Sequence, residues 1–209
     1  MERIDWELGE AELTESDGKK HCHEKNFLAE SVKDGASMQI VKYLGQGGRI
    51  SIPPVMCRLP VTRIGQEAFM GKNISAIEIP NTVTHIGLGA FMGNQLAHVW
   101  IPAGVVHIGP WAFADNELTY VAIPRGVTHI RAWTFAGNRL TGVSIPDGVT
   151  DIETKAFAGN ALASVAIPRS VVAIDEGAFL GNGIAKVEIP CGASIRWRAF
   201  HQDVTITRR

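Results

Sequence analysis

The aromatic residue of an Ala-Phe or Thr-Phe pair returns as Phe69, Phe91, Phe113, Phe135, Phe157 and Phe179, each 22 residues after the last, and Phe200 follows after 21. The proline that closes an Ile-Pro pair keeps the same step, at Pro80, Pro102, Pro124, Pro146, Pro168 and Pro190. Isoleucine ladders run between them at Ile64, Ile86, Ile108, Ile130, Ile152, Ile174 and Ile195, and at Ile79, Ile101, Ile123, Ile145, Ile167 and Ile189. A fixed period overrides any element-by-element assignment. One in the twenties is too short for a pair of helices and suits one turn of a β-solenoid or a leucine-rich-repeat coil.

Within a repeat the local pattern says which residues face inward. In LAHVWIP, Val99 and Ile101 alternate with His98 and Trp100, the signature of a strand with one buried face, and Pro102 ends it because it has no N–H to donate. The pairs Gly93-Asn94, Gly137-Asn138, Gly159-Asn160 and Gly181-Asn182 read as turns, glycine taking the positive φ and asparagine bonding nearby backbone. Asn116 keeps the place behind Asp115. These asparagines are expected to stack as a ladder that satisfies loop amides inside the coil. No repeat can bury its apolar side without a neighbour, so stacking supplies the core. At an interstrand spacing of about 4.8 Å, six to seven coils give a rod or arc roughly 30 Å long. The last copy, AFHQDVTITRR, is shortened and closes the end with charge.

The completed motif IP..VT.IG..AF.GN.L..V resembles the BspA-like, or Treponema-type, leucine-rich repeats of bacterial and some protozoal proteins, from about Ile50 to the C-terminus. The opening segment VKDGASMQIVKYLGQGGRISIP, followed by LPVTRIG, is similar to the usual start of such domains, a short strand pair leading into the first coil. One departure is visible: Cys57-Arg58 stands where the family commonly has a glycine turn. The expected architecture is therefore a leucine-rich-repeat solenoid of six to seven stacked 22-residue coils over 50–209, with one short parallel strand per coil and a truncated last repeat. Residues 1–49 are expected to form a strand-pair cap over the first coil's unpaired edge, partly disordered around Glu10 to Lys25. The resemblance implies a surface-exposed binding protein, of the kind implicated in adhesion to host matrix proteins or other bacteria. It implies no catalytic residue.

Composition narrows the partners. The net charge is −1 with acids and bases interspersed, so no field steers nucleic acid or an anionic membrane surface to the chain. Three cysteines, Cys22, Cys57 and Cys191, match no zinc spacing and leave at least one unpaired in any disulfide scheme. The N-terminus carries charge where a secretion signal would be apolar, and no run is long enough to span a bilayer. A leader removed earlier would leave the same trace, and would be expected of the cell-surface or outer-membrane location that the resemblance implies. No GxSxG elbow, HExxH helix, phosphate-binding loop or dinucleotide fingerprint appears, so no enzyme and no cofactor are expected.

The letters that change between copies carry the rest. Outward strand positions give two rows, Ala76, His98, Tyr120, Gly142, Ser164, Lys186 and Glu78, Trp100, Ala122, Ser144, Ala166, Glu188. His98, Trp100 and Tyr120 form an aromatic patch there, and a protein or glycan ligand is expected to contact them with Ser144, Lys186 and Glu188 alongside. The alternative role for Trp100 is to cover the sheet. Two residues before each phenylalanine runs the row Glu67, Gly89, Trp111, Trp133, Lys155, Gly177, Arg198, in which two exposed tryptophans on adjacent coils would mark a self-association face; otherwise they roof the phenylalanine ladder. A third row, Arg63, His85, His107, His129, Asp151, Ala173, places three histidines on successive coils, suited to a metal or to pH sensing, or else a solvated polar ladder. His21, Cys22, His23 and Glu24 form a second, weaker metal-like cluster with no distant partner.

Overall fold

The computed structural model describes residues 2–4, 11–16, 18–33 and 35–209, and the whole of its regular structure is strand and turn. Strands β1 (Glu2–Ile4), β2 (Ala11–Ser16), β3 (Lys19–Glu24), β4 (Phe27–Ser31) and β5 (Met38–Tyr43) pair as an antiparallel meander. Then come β6 (Gly48–Ser51), β7 (Val55–Met56), β8 (Leu59–Ile64), β9 (Ile74–Glu78), β10 (His85–Ile86), β11 (His107–Ile108) and β12 (Tyr120–Ala122). The series closes with β13 (His129–Ile130), β14 (Gly142–Ser144), β15 (Asp151–Ile152), β16 (Ala173–Ile174), β17 (Lys186–Ile189), β18 (Ser194–Ile195) and β19 (Thr205–Arg208).

Strand β5 joins two ways of pairing. It lies antiparallel to β4 and parallel to β8, so the meander runs directly into the first coil as one sheet. Instead of a strand pair, five strands lead in. Part of the segment read as disordered, 11–16 and 19–24, forms β2 and β3, while Glu10 lies outside the described residues.

Most coils contribute a short parallel strand on one face, and several contribute a second on another. The short segments β8, β10 and β11 pair in register, Arg63 with His85 and His85 with His107, and β13, β15, β16 and β18 form a separate ladder. The segments before each Ile-Pro pair make a second face, interrupted into β6–β9, β12–β14 and β17–β19. On the third side the turn carrying each phenylalanine bonds in the opposite direction along the stack: the N–H of Phe69, Phe91, Phe113, Phe135 and Phe157 donates to the coil that follows, whereas Gly87 N–H donates back to Ile64 O. Backbone bonds on three sides thus tie the coils together, with gaps in the second face.

Inside, the phenylalanine rings stack face to face with centroids 5.1 to 5.7 Å apart from Phe69 to Phe200. Tyr43 extends the column by one ring, 5.4 Å from Phe69, so eight rings rather than seven mark the coils. Its interval to Phe69 is 26 residues, four more than the period, and the hairpin β7–β8 takes up the excess. The two-residue loop of that hairpin is Cys57-Arg58, with φ of 45° and 67°. Two successive left-handed residues are what a tight hairpin of this kind requires, a role glycine and asparagine usually fill. Here Cys57 is bonded to the buried Cys22 of β3, which ties the hairpin to the meander, and Cys191 remains free and exposed.

The asparagine ladder forms as the repeat predicts. Asn138 Nδ2 donates to Phe113 O of the preceding coil and to Phe135 O of its own, while its Oδ1 accepts the Leu118 N–H at 3.0 Å. Asn94, Asn116, Asn160 and Asn182 repeat the pattern. One coil deviates elsewhere. Between His107–Ile108 and His129–Ile130 the short ladder is broken, and there Thr134, standing where the other coils have alanine, donates its hydroxyl to Arg131 O at 2.8 Å and to Gly109 O at 3.3 Å.

Replacing Asn138 with alanine strands the inward Leu118 N–H and removes one of the two side-chain amide donors that meet each of the Phe113 and Phe135 carbonyls, the other being Asn116 and Asn160 respectively. We expect a loss of about 2–4 kcal/mol in chemical denaturation, against a few tenths for the exposed Thr119→Ala.

Candidate functional site

The strand face before each Ile-Pro pair carries the largest exposed aromatics of the central coils. Trp100 is 63% and Tyr120 53% exposed, and His98, Ser144, Lys186 and Glu188 are exposed on the same face. Tyr120 opens β12 and Ser144 closes β14, whose register sets Tyr120 against Gly142 and Ala122 against Ser144. The Tyr120 ring leans over Gly142: a Cβ there would lie 3.3 Å from the ring. Glycine therefore lets the phenol lie along the sheet. Lys186 and Glu188 sit on β17, and Glu188 is committed to Arg209 at 3.1 Å, so these two stand apart from the aromatic pair at the far end of the face.

The coil holding His98 and Trp100 has no strand assignment. The backbone N–H and C=O groups of His98 to Ile101 make no hydrogen bond to protein among the described residues. An exposed indole thus projects from a segment whose polar backbone is free to meet a ligand. Such a combination, a rigid apolar surface beside unsatisfied donors and acceptors, suits an interface better than a core.

Trp111 and Trp133 are half-buried rather than exposed. Their rings stack at 6.3 Å with an interplanar angle of 12°, and Lys155 Nζ lies 4.4 Å over the Trp133 ring. The row they belong to is left-handed throughout, from Glu67 (φ 55°) through Trp111 (55°), Trp133 (61°) and Lys155 (54°) to Arg198 (53°), with Gly89 and Gly177 between. Bulky residues at such φ values are strained by about 1–2 kcal/mol each. The sequence pattern conceals this, because only two of the row's members are glycine.

The histidine row splits. His85 and His107 are in register with ring centroids 5.9 Å apart, whereas His129 lies across the ladder break and pairs with Asp151 at 3.3 Å. Structure thus brings together two of the three. Burial holds the imidazoles of His85 and His107 below their ordinary 6.5, and the positive charge of Arg63 beside His85, and of Arg131 and Arg63 beside His107, acts in the same direction. Among the described residues no three His, Cys, Asp or Glu are grouped to hold a metal. In the second cluster Cys22 is committed to its disulfide, so it has no thiolate to offer.

One exposed aromatic escaped the sequence analysis. Trp197, 68% exposed, is stacked by the Arg198 guanidinium at 4.2 Å and lines an open concavity of about 610 Å³ at the last coil with Arg196, Phe200, His201 and Ile206. Its column reads Gln66, Leu88, Pro110, Ala132, Thr154, Glu176, Trp197, and that variability was the signal available.

The profile of the BspA type leucine rich repeat region matches residues 62–185, in six copies. The chain belongs to the BspA-type leucine-rich-repeat family. Its fold is similar to that of the T. pallidum leucine rich repeat protein, at 22% identity over 86% of this chain and 88% of that one, with a TM-score of 0.69. A leucine rich cell surface protein from Faecalibacterium prausnitzii is similar at 22% identity over 90% of this chain and 76% of that one, TM-score 0.55. A leucine-rich repeat protein from Bacteroides ovatus follows at 20% identity over 88% and 66%, TM-score 0.54. Among curated proteins, none matches. These likenesses establish the fold; they are all repeat proteins, and none is described by an enzymatic activity. Among the described residues no helix is long and apolar enough to cross a membrane.

The depressed imidazoles have a consequence for stability. An unfolded histidine takes up its proton near 6.5, the folded ones only at lower pH, so the unfolded chain binds more protons in between. Stability is therefore full above that value and falls as the solution is acidified through the folded values. In the His85→Gln, His107→Gln double variant the decline of melting temperature between pH 7 and pH 5 should be shallower than in the parent.

Proposed function

We propose that this protein is a non-enzymatic interaction module that binds a protein or glycan partner through the strand face at His98, Trp100 and Tyr120, with Ser144 at its edge and Lys186 and Glu188 as outlying polar contacts. The observation that supports it most is the exposure of Trp100 on a segment, His98 to Ile101, whose backbone polar groups are unpaired among the described residues. Trp and Tyr bury large rigid area at little entropic cost, which is why they anchor interfaces. A role at the bacterial surface, in adhesion or contact with a host, fits two further facts: the F. prausnitzii relative is described as a cell surface protein, and the Cys22–Cys57 disulfide belongs to an oxidising compartment.

Self-association through the Trp111 and Trp133 face is a second reading. What favours it is the strain: two bulky residues hold a left-handed backbone that glycine adopts without cost in the same row. Against it, the indoles already cover part of each other.

Two experiments separate these readings. For the ligand face, Trp100→Ala should fold normally by circular dichroism and lose tenfold or more in affinity for an extracellular-matrix protein or glycan that the parent retains on an array; unchanged affinity removes the assignment. For self-association, multi-angle light scattering should show a parent dimer that the Trp111→Ala, Trp133→Ala double variant dissolves, and a monomeric parent ends that reading.

A further inference from the structure

The short-ladder face carries a charge pattern that the aromatic face does not explain. In its second half every base has an acid from a neighbouring coil: His129 meets Asp151 at 3.3 Å, Arg131 meets Glu153 at 2.7 Å and Arg196 meets Asp175 at 2.8 Å. In its first half Arg63, His85 and His107 follow one another in register, and none of them has a carboxylate partner among the described residues. They line a groove of about 250 Å³ with Gln39 and Gln66, over a floor of glycine.

The second half shows what belongs in such a place. The Glu153 carboxylate accepts the Arg131 guanidinium at 2.7 Å and the Ala132 backbone N–H at 2.9 Å. At the repeat-equivalent positions two and three coils earlier, Gly109 faces Leu88 and Gly87 faces Gln66 as Glu153 faces Ala132, each 21 residues apart. A Cβ on Gly87 would lie 2.8 Å from the Gln66 nitrogen, and one on Gly109 2.6 Å from that of Leu88, so these coils pack too closely to carry an acid of their own. The N–H groups of Gln66 and Leu88 have no protein acceptor among the described residues. The carboxylate that completes the later coils is missing where cationic and ionisable side chains converge.

We propose that the groove between Arg63, His85 and His107 is an oxyanion site, taking one carboxylate, sulfate or phosphate group of a ligand. Arg63 supplies a permanent charge and a planar fork of donors that matches an oxyanion. Both imidazoles add charge when protonated, and the Gln39 amide adds a neutral donor at the rim. The groups that bear on the two imidazoles are Arg63, Arg131 and each other, with the Thr84 hydroxyl 2.8 Å from His85 Nδ1. Acids on this side of the coil are already engaged: Glu153 by Arg131, Asp151 by His129, and Glu67 by the Gln66 side chain at 3.3 Å. Burial first, and the neighbouring positive charge second, hold the two imidazoles low; an anion in the groove offsets that positive charge, so binding strengthens as the pH falls and occupancy raises the pH at which they protonate. This site is separate from the aromatic face, and its test does not depend on it.

The test is a pH titration of the histidine Cε1–H resonances of the whole chain by NMR, in sodium sulfate, phosphate or acetate, each against sodium chloride of equal ionic strength. The expected result is that at least one oxyanion raises the midpoints of His85 and His107 by half a pH unit or more, while the resonances of His98 and His129 stay with the chloride control. The oxyanion that saturates at the lowest concentration names the source: sulfated glycan, phosphorylated ligand, or acidic peptide or sugar. Arg63→Gln should weaken saturation tenfold or more. If that variant does not fold, His85→Gln, His107→Gln read through the Gln39 and Gly87 amide shifts serves in its place. Shifts equal to those in chloride for all three anions, or saturation unchanged in the variants, overturn the assignment.

Discussion

The stack depends first on the inward asparagine that closes the turn in five successive coils, from Asn94 to Asn182. Its amide donates to the phenylalanine carbonyls of two successive coils and its oxygen accepts an N–H from the preceding one, so a single side chain satisfies the backbone of a tight bend and fastens it to its neighbour. A bend of that tightness leaves polar backbone pointing at an apolar interior, and an unpaired group there costs more than any one packing contact returns. With the asparagine in place, the phenylalanine above it can lie flat on the next ring, and the column of eight rings follows. The frame needs nothing from the side chains that point outward.

That independence is why the two strand faces differ so much. The face before the Ile-Pro pairs is interrupted and carries its aromatics at the interruption, Trp100 where pairing lapses and Tyr120 on the next coil, where it resumes. The face of the short ladders is better paired, but broken once between His107 and His129, where Thr134 fills in for lost backbone bonds. The break also divides the face by charge: ion pairs follow it, and a groove with unopposed positive groups precedes it. The molecule therefore offers two unlike surfaces, one aromatic with open backbone, the other a shallow cleft suited to an anion.

Much of this was legible from the chain. The 22-residue period, the turn asparagines and the two rows of the face before the Ile-Pro pairs stand in the structure where the sequence places them. What was not legible has identifiable causes. The eighth ring was hidden because Tyr43 lies 26 residues before Phe69 and is not a phenylalanine. The left-handed row was hidden because tryptophan, glutamate, lysine and arginine occupy positions where only Gly89 and Gly177 announce the backbone. Trp111 and Trp133 looked exposed because a column of residues does not say whether its members stand up or lie on one another, and the Lys155 contact that covers Trp133 comes from another coil.

The sequence by itself determined that this protein is a stack: a period too regular for any other economy of burial, with isoleucine, phenylalanine and asparagine at fixed places, allows one repeated coil and no independent core. Only the tertiary structure decided how neighbouring coils meet. It paired Cys22 with Cys57, separated His129 from His85 and His107, set Tyr120 on Gly142 and left Arg63 without an acid among the described residues. Apart from the disulfide, whose cysteines lie 35 residues apart, those outcomes turn on contacts between residues about one period apart, whose distance depends on how closely each pair of coils packs. A one-dimensional pattern gives the order of the coils, and the local volumes of their side chains set that spacing.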